Sequence, residues 1–276
     1  MDPKLEDKHV LITGASGGIG TVTTRLFLQE NARVSAQYHH QVESLMTLKS
    51  SYPKTLNVIQ GDIRKESDVK NLFDKSTEYF GRVAVLIANA GIWPSEEVPI
   101  HEMTLAQWHN TLAVNLTGVF LCTKYFFQNL KSYPAKYASL ILVGSTAGVF
   151  GEAGHADYAT SKAALSGLMK TLKNEIVHLA EHGRVNLVNP GWTLTPMANE
   201  TLKDKVTVKR VLQTIPLRKI ALPIDIGQVI LYLASDNLSG HVSGQEITIA
   251  GGMEGRVLFS PEDIDQGDSE NSKQGL

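Results

Sequence analysis

A tyrosine and a lysine four positions apart, Tyr158 and Lys162, are the residues best suited to chemistry in this sequence. In a helix that spacing places both side chains on one face, so the lysine ammonium can lie beside the tyrosine phenol. A phenol has a reference pKa of about 10 and is a poor acid or base near neutrality, but a neighbouring cation favours the phenolate and lowers that pKa. The pair can therefore transfer a proton. The competing interpretation is an ordinary solvated pair on a helix surface.

A serine hydroxyl is brought close to this pair by the strand that precedes it. The apolar run at residues 138–143 has the pattern of a buried strand, and Ser145 follows it almost directly. Open α/β sheets bind ligands at the carboxyl ends of their strands. We therefore expect the hydroxyl, the phenol and the amine to lie at one such edge.

A glycine-rich turn follows the first predicted strand, residues 9–13. Residues 14–20 read GASGGIG, and a helical pattern continues from there to Glu30. Strand, turn and helix in this order bring unpaired backbone N–H groups and the positive end of a helix to one point, which suits a pyrophosphate. Because the glycines at 14, 18 and 20 stand in this context, the turn predicts a phosphate site.

The elements that must position these residues alternate along the chain. Further strands are predicted at residues 32–38, 56–60, 83–88, 184–188 and 245–249, and helices at 66–79, 104–130, 157–181 and 224–234. Gly183 is expected to cap the third of these helices. The polar, weakly periodic segment 194–215 predicts a mobile lid. The alternation predicts an α/β fold, a single Rossmann-type doubly wound parallel sheet of about seven strands with helices on both faces.

For several polar residues at strand ends, the sequence position alone allows either a structural or a functional role. Asp62 can cap or turn the chain before a helix, and the Asn89-Ala90-Gly91 triplet is ordinary turn chemistry. Asn115 interrupts an apolar helix face. Its position fits a buried amide that is hydrogen-bonded in the core as well as it fits a functional residue. Pro190 and Gly191 break the sixth strand at the same edge.

The composition excludes several classes of protein. With 42% hydrophobic and 20% charged residues and a net charge of -2, residues 1–256 form a single globular domain in this interpretation, followed by an acidic polar tail at 257–276 whose composition predicts disorder. The absence of a Lys/Arg cluster argues against nucleic acid and favours a small-molecule partner. A lone Cys122 excludes an internal disulfide and a thiolate metal site, and no metal is expected. Without a signal-like or membrane-spanning apolar run, a cytoplasmic location is expected.

Seven separated motifs in one order make the chain resemble a classical short-chain dehydrogenase/reductase from about residue 6 to residue 253. These are TGASGGIG at 13–20, Asp62, NAG at 89–91, Asn115, Ser145, YATSK at 158–162 and PG at 190–191. The segments 216–236 and 244–252 most resemble 3-oxoacyl-carrier-protein reductases and sugar or polyol dehydrogenases. One departure is Ala250, where the family often has Asp. The resemblance implies hydride transfer between a nicotinamide and a carbonyl or secondary alcohol.

The resemblance also implies a role for each motif residue. Tyr158 would be the acid/base, Lys162 would lower its pKa and hold the nicotinamide ribose, Ser145 would polarise the substrate oxygen, and Asn115 would hold a water linking Lys162 to solvent. Cofactor contacts are implied for the pyrophosphate residues Gly14, Ser16, Gly18, Ile19 and Gly20, the adenine residues Asp62 and Ile63, the channel residues Asn89, Ala90 and Gly91, and the nicotinamide residues Pro190, Gly191, Trp192, Thr193 and Thr195.

The choice between NAD and NADP depends on the end of the second strand. NAD-specific sites usually have a carboxylate there, which binds the ribose hydroxyls and repels a 2′-phosphate, and Tyr38 stands in its place. No arginine is present to bind that phosphate, but His39 and His40 follow. We therefore expect both cofactors to be used, with NADP modestly favoured and increasingly so as the pH falls from about 8 to 6 and the histidines gain charge.

Several expectations concern alternatives, the pocket and assembly. Two alternatives to an enzyme are a nicotinamide-sensing protein without turnover and a structural role.

The pocket residues Trp93, His155, Trp192 and Met197 favour a compact, partly apolar substrate. A homotetramer is expected, with a dimer second, through the apolar side chains of Leu116, Phe120, Phe126 and Leu168 and through the last strand. In the tail, Val257, Leu258 and Phe259 are expected to pack against the body or a neighbouring subunit.

Overall fold

Seven parallel strands form one sheet at the centre of the computed structural model, which describes residues 2–264 apart from the side chains of 200 and 201. The strand order is β3-β2-β1-β4-β5-β6-β7. The predicted doubly wound sheet is thus confirmed. Its strands are β1 (His9–Ile12), β2 (Arg33–Tyr38), β3 (Leu56–Gln60), β4 (Val85–Ala88), β5 (Tyr137–Val143), β6 (His182–Pro190) and β7 (Glu246–Ile249).

Helices cover both faces of the sheet, and the alternation of side chains along each strand divides the core in two. Leu11, Leu86 and Leu140 face one apolar cluster, whereas their neighbours Val10 and Val85 face the other. The helices are α1 (Gly18–Gln29), α2 (Glu43–Ser51), α3 (Glu66–Phe80), α4 (Leu105–Leu112), α5 (Val119–Ser132), α6 (Thr146–Phe150), α7 (Ala156–Glu175), α8 (Asn199–Lys203), α9 (Lys205–Leu212), α10 (Pro223–Ala234) and α11 (Asp236–Ser239).

The sheet has its topological switch point between β1 and β4. The chain adds β2 and β3 on one side of β1 and then returns to place β4 on the other side. Such a reversal opens a crevice at the carboxyl ends of the two central strands, because the crossovers on either side leave in opposite directions. The glycine turn after β1 and the Asn89 triplet after β4 both lie at this crevice.

Two of the long helices differ from the sequence prediction. The helix predicted over 104–130 consists of α4, a π-helix at Ala113–Gly118 and α5, and Phe126, expected on its surface, is fully buried in the core. A π-helical turn adds a residue without breaking the apolar pattern, so periodicity does not reveal it. The helix expected to reach residue 181 ends at Glu175, followed by a 3-10 turn at Ile176–His178.

Gly183 does not cap that helix, since it lies inside β6. A Cβ on Gly183 would stand 2.8 Å from the Ile176 side chain and 3.0 Å from the Ala180 carbonyl oxygen. The glycine is required by this close approach of two chain segments and not by a left-handed backbone conformation, and the sequence pattern does not distinguish the two.

The segment predicted as a lid, residues 194–215, contains the short helices α8 and α9, and we call it the helical lid. Asp204 caps α9 by accepting hydrogen bonds from the backbone N–H groups of Val206 and Thr207. Both helices are too short for a clear periodic signal. The lid has its own apolar cluster, made of Leu194, Leu202, Val208, Leu212, Ile220 and Ile264.

The tail is only in part as expected. Phe259 packs against the lid cluster, and Leu258 is bonded to Gln213 through its backbone, but the side chain of Val257 is 67% exposed. The acidic remainder from 265 onward lies outside the described residues. Between residues 2 and 264, no helix is long and apolar enough to cross a membrane, and no three His, Cys, Asp or Glu side chains gather as metal ligands.

Candidate active site

Ser145, Tyr158 and Lys162 come together at the carboxyl end of β5. Ser145 begins α6, where its Oγ accepts a hydrogen bond from the backbone N–H of Ala147 at 3.2 Å. Helix α7 begins two residues before Tyr158 and places Lys162 one turn further along. The Lys162 Nζ donates to the carbonyl oxygen of Val143 at 2.9 Å, which ties the amine to the strand that carries Ser145.

The surroundings shift the pKa values of the two titratable groups in directions that differ from the sequence expectation. Burial raises the pKa of Tyr158 above its usual value, the hydrogen bond with Ser145 acts in the opposite direction, and Glu152 raises the pKa further. Burial lowers the pKa of Lys162 to about 8. The Lys162 Nζ lies 5.8 Å from the centre of the Tyr158 ring. The sequence predicts that Lys162 lowers the Tyr158 pKa. In the structure, burial has the larger effect, and the Tyr158 pKa is raised.

Asn115 is fully buried in the π-helix, and its side chain holds the segment after β4. Its Oδ1 accepts from the Ile92 N–H at 2.8 Å, while its Nδ2 donates to the Ile92 carbonyl at 2.9 Å and to the Ser161 Oγ at 3.2 Å. Both amide hydrogens are therefore used within the protein. The side chain is a satisfied core amide, and the implied water near Lys162 stays a prediction.

Gly91 stands where Asn115 and Lys162 approach the chain most closely. A Cβ added to Gly91 would lie 3.2 Å from the Asn115 Oδ1 and 3.2 Å from the Lys162 Nζ. Any larger residue here must displace one of these atoms, so the glycine keeps the lysine amine against the end of β4.

The glycine turn has the features that a phosphate group needs. Gly14 has a φ of +61°, and a Cβ on Gly20 would lie only 2.2 Å from the Gly14 carbonyl oxygen. Helix α1 starts at Gly18 after Gly17, which supplies no side-chain cap, and no acidic residue occupies its first turn. The first N–H groups of α1 and its positive end are thus available to an anion, so the residues present, with Ser16 and Ile19 between the glycines, fit a dinucleotide pyrophosphate.

Two residues that the sequence analysis missed hold this turn. The carboxamide of Gln37 accepts from the Gly14 N–H at 2.8 Å and donates to the Gly61 carbonyl at 2.6 Å. The Thr13 hydroxyl accepts from the N–H groups of Asn89 and Ala90, each at 3.1 Å. Gln37 stands next to the last residue of β2, at the strand end that faces the glycine turn, and this position is the sequence signal that could have identified it.

The side chain of Asn89 completes this network. Its Nδ2 donates to the carbonyl oxygens of Thr13 and Gly14, each at 3.0 Å. The triplet therefore joins the ends of β1 and β4, which is the turn role that its residue types indicate.

The charged groups near the end of β2 differ from the sequence expectation, which relied on the charge of His39 and His40. Arg64 binds both carboxylate oxygens of Asp62 at 2.8–3.1 Å and holds the pKa of that carboxyl down at about 2. The His39 Nε2 lies 3.8 Å from the Asp62 Oδ2, yet burial and the neighbouring His40 lower the pKa of His39. The pKa of His39 therefore lies below the reference value of about 6.5 on which the sequence expectation rests. Arg64, two residues after Asp62, was not recognised in the sequence.

Three aromatic rings, those of Trp93, His155 and Trp192, line the side of the site next to Tyr158. The Trp93 ring centre lies 3.9 Å from His155, 4.6 Å from Tyr158 in an edge-to-face arrangement, and 6.4 Å from Trp192. His155 is 3% exposed, burial lowers its pKa, and its Nδ1 has no hydrogen-bond partner among the described residues. Met197, in contrast, is 51% exposed and does not close this wall.

The chain after β6 runs back to the glycine turn. Gly191 donates its N–H to the Ile249 carbonyl at 2.9 Å, and a Cβ on Gly191 would lie 2.7 Å from the Ala250 Cβ. The Thr193 hydroxyl donates to the Gly191 carbonyl at 2.8 Å. Thr195 reaches the turn itself, because a Cβ on Gly18 would lie 2.8 Å from its side chain. The segment from Pro190 to Thr195 thus runs from the end of β6 to the glycine turn, and its contact with a nicotinamide stays a prediction.

The adenine-side residue Ile63 is buried under the π-helix. A Cβ on Gly118 would lie 2.6 Å from its side chain. Ile63 therefore fixes the chain between β3 and the π-helix, next to Asp62 at the crevice.

Comparisons with known proteins point to one family. The family model described as Enoyl-(Acyl carrier protein) reductase matches residues 14–254. A 3-oxoacyl-[acyl-carrier-protein] reductase of Thermotoga maritima is 37% identical over 254 residues, which is 91% of this chain and 99% of that protein. A 3-oxoacyl-[acyl-carrier-protein] reductase of Synechocystis sp. is 30% identical over 253 residues, 90% of this chain and 96% of that protein.

A solved structure extends the similarity to three dimensions. The Brucella melitensis short-chain dehydrogenase/reductase described as a glucose/ribitol dehydrogenase aligns with a TM-score of 0.83 at 30% identity, covering 92% of this chain and 99% of that one. The similarity in sequence and in fold thus extends over almost the full length of each relative. The chain belongs to the short-chain dehydrogenase/reductase family and is an NAD(P)-dependent oxidoreductase that acts on a keto or hydroxyl group.

Proposed function

We propose that this protein reduces a 3-oxoacyl thioester or a related small ketone, with Tyr158 as the acid. The observation that carries the proposal is the meeting of Ser145, Tyr158 and the buried Lys162 at the end of β5, beside the uncapped start of α1. The named activities of the two reductase relatives support the acyl thioester as the first substrate class.

The protonation state of Tyr158 suits the direction of reduction. Because burial raises its pKa, the phenol keeps its proton at neutral pH and can donate it to a carbonyl oxygen. Reduced nicotinamide, when bound, supplies the hydride. Ser145 donates a hydrogen bond to the same carbonyl oxygen, which stabilises the negative charge that develops there. Lys162 has a pKa of about 8, so it is mostly charged at neutral pH and keeps positive charge beside the ring.

We propose that both nicotinamide cofactors are accepted, with NADP modestly preferred. Tyr38 at the end of β2 brings no carboxylate to repel a 2′-phosphate. Arg64 and Lys65 are near enough to lower the pKa of His39 and so supply positive charge, but Arg64 is already paired with Asp62. The preference is therefore limited. Tyr38 and His39 would line the ribose, and the residues from Asn89 to Gly91 the channel.

A compact ketone or polyol is the second candidate substrate. Trp93 packs edge-to-face against Tyr158 at 4.6 Å and carries His155 and Trp192 beside it, and an aromatic wall of this kind suits a compact, partly apolar substrate. The solved relative described as a glucose/ribitol dehydrogenase supports the same class.

Absorbance of reduced nicotinamide tests the proposal with a panel of 3-oxoacyl thioesters, small ketones and polyols. We expect turnover by the wild-type protein and a loss of about 10²- to 10⁴-fold in kcat for Tyr158→Phe, with cofactor affinity nearly unchanged, because the lost proton donor acts on the transition state. Tyr133→Phe serves as the matched control, because Tyr133 is exposed and lies before the start of β5, at the opposite end of that strand from the site. A Tyr158→Phe variant that keeps substantial activity would refute the acid assignment, whereas cofactor binding without any turnover would favour the sensing alternative.

A further inference from the structure

Residues 257–264 form an extension that lies beyond the residues matched by the family, and we call it the C-terminal strap. The N–H groups of Leu258 and Phe259 both donate to the Gln213 carbonyl oxygen, at 2.8 and 3.2 Å. The Gln213 side chain returns a hydrogen bond from Nε2 to the Phe259 carbonyl at 2.8 Å. Gln213 directly follows α9, so the strap is fastened to the end of the helical lid.

The strap also completes the apolar cluster of the lid. Ile264 is 2% exposed and packs with side chains from both ends of the lid, and Phe259 packs against the same cluster. The Arg218 guanidinium lies 5.8 Å from the centre of the Phe259 ring. This cluster is separate from the two that flank the sheet, so the lid depends on the strap for part of the only core it has among the described residues.

A short turn directs Ile264 inward. Ser260 and Asp263 cap each other, with the Ser260 N–H donating to the Asp263 Oδ2 at 2.8 Å around the 3-10 turn Pro261–Asp263. Hydrogen bonds within the turn, to its backbone and to Ser260, lower the pKa values of Glu262 and Asp263, and Lys209 and Arg218 of the lid region add smaller contributions in the same direction. Shape and charge thus both fit the strap to the lid.

The lid connects the strap to the glycine turn. Leu194 belongs to the lid cluster, and the next residue, Thr195, makes the close approach to Gly18. Trp192 packs against the same cluster and also belongs to the aromatic wall beside Tyr158. A lid that loses its cluster therefore loses the support behind both contacts.

We propose that the C-terminal strap holds the helical lid closed over the dinucleotide site, and that Phe259 and Ile264 are positioning residues that slow dinucleotide exchange. The inference rests on the proposed dinucleotide site at the glycine turn. Opening of such a lid controls ligand entry and release in many enzymes. Weakening the strap therefore speeds release without changing the groups that carry out the reaction.

The experiment compares the full-length protein with the double variant Phe259→Ala/Ile264→Ala and with the matched control Val257→Ala, whose side chain is exposed in the same segment. Dissociation of reduced nicotinamide dinucleotide is followed by its fluorescence after rapid mixing with the oxidised form. We expect release about tenfold faster in the double variant, with an unchanged rate in the control, since truncating two packed side chains leaves the lid without part of its core. Equal release rates in all three proteins would overturn the proposal.

A second measurement does not depend on the cofactor. Trypsin cleavage at Lys205, Lys209 and Arg210 in the lid reports its opening directly, and we expect about tenfold faster cleavage in the double variant, measured at a temperature where circular dichroism shows all the proteins folded. If the double variant fails to fold, Gln213→Ala, which removes the hydrogen bond from the Gln213 Nε2 to the Phe259 carbonyl and adds no trypsin site, replaces it and must accelerate cleavage. Unchanged cleavage in the folded variants would refute the strap. A wild-type protein that binds no dinucleotide would refute the proposed function while the cleavage comparison still decides the strap.

Discussion

Replacing Gly91 by alanine tests the position of the Lys162 amine without altering any reacting group. The added Cβ would lie 3.2 Å from the Lys162 Nζ and from the Asn115 Oδ1, which is closer than ordinary contact. A shift of a few tenths of an ångström relieves the overlap. Asn115 is held by three hydrogen bonds and the lysine amine by one to Val143, so we expect the amine to move.

The size of the effect follows from that shift. Because a displacement of about 1 Å can cost about 10²-fold in rate, a shift of a few tenths is expected to lower kcat about four- to tenfold. The assay is steady-state reduction by the variant with saturating substrate, together with the pH dependence of kcat. The added methyl group deepens the burial that lowers the Lys162 pKa to about 8, so the limb of the pH profile that reports Lys162 is expected to move to lower pH.

The matched control is Gly167→Ala on α7, where the added Cβ meets nothing within 4 Å. We expect wild-type kcat for this control, with a stability gain of about 0.5–1 kcal/mol because alanine favours the helix. Oligomeric state is checked for both variants. A Gly91→Ala protein with wild-type kcat and an unchanged pH profile would refute the placement of Lys162 in the reaction.

Three further predictions concern stability, cofactor choice and assembly. Burial lowers the pKa of His9 to about 4, so folding favours its neutral form, and the protein should lose about 2 kcal/mol between pH 7.5 and pH 5 that His9→Gln does not lose; denaturant unfolding of both proteins at both pH values measures the difference. NADP preference is expected to change little between pH 8 and 6.5 and to rise only at lower pH, because the pKa of His39 is lowered; a steep rise already near pH 7 in kcat/KM for the two cofactors would contradict this. A homotetramer, with a dimer second, is expected from apolar exposure such as that of Phe120, which is 49% exposed on α5; light scattering that finds a monomer at micromolar concentration would exclude both.

The sequence predicts well what depends on local pattern. Strand–turn–helix order located the glycine turn, and the four-residue spacing placed Tyr158 and Lys162 on one face of α7. Both are properties of consecutive residues, and the parallel sheet then brings the ends of its strands together.

What the sequence could not predict depends on contacts between distant segments. The raised pKa of Tyr158 follows from its burial in the assembled site. The sequence position of Asp62 leaves its role open, and only the structure shows that its carboxylate is paired with Arg64. Gly183 shows the same limit, because the side chain that it must avoid comes from the turn after α7. Phe126 is expected on the surface from its sequence position, but the distant segments that form the core cluster bury it completely.

The hydrogen bonds of Thr13 and Gln37 have a consequence for the thermodynamics of cofactor capture. Together they join the glycine turn to the ends of β2, β3 and β4 through bonds made within the protein. The turn is thus preorganised, and binding does not carry the entropic cost of ordering a flexible loop. Part of the affinity for dinucleotides therefore resides in two side chains that need not touch the ligand, and mutations there would weaken binding while the phosphate contacts remain chemically intact.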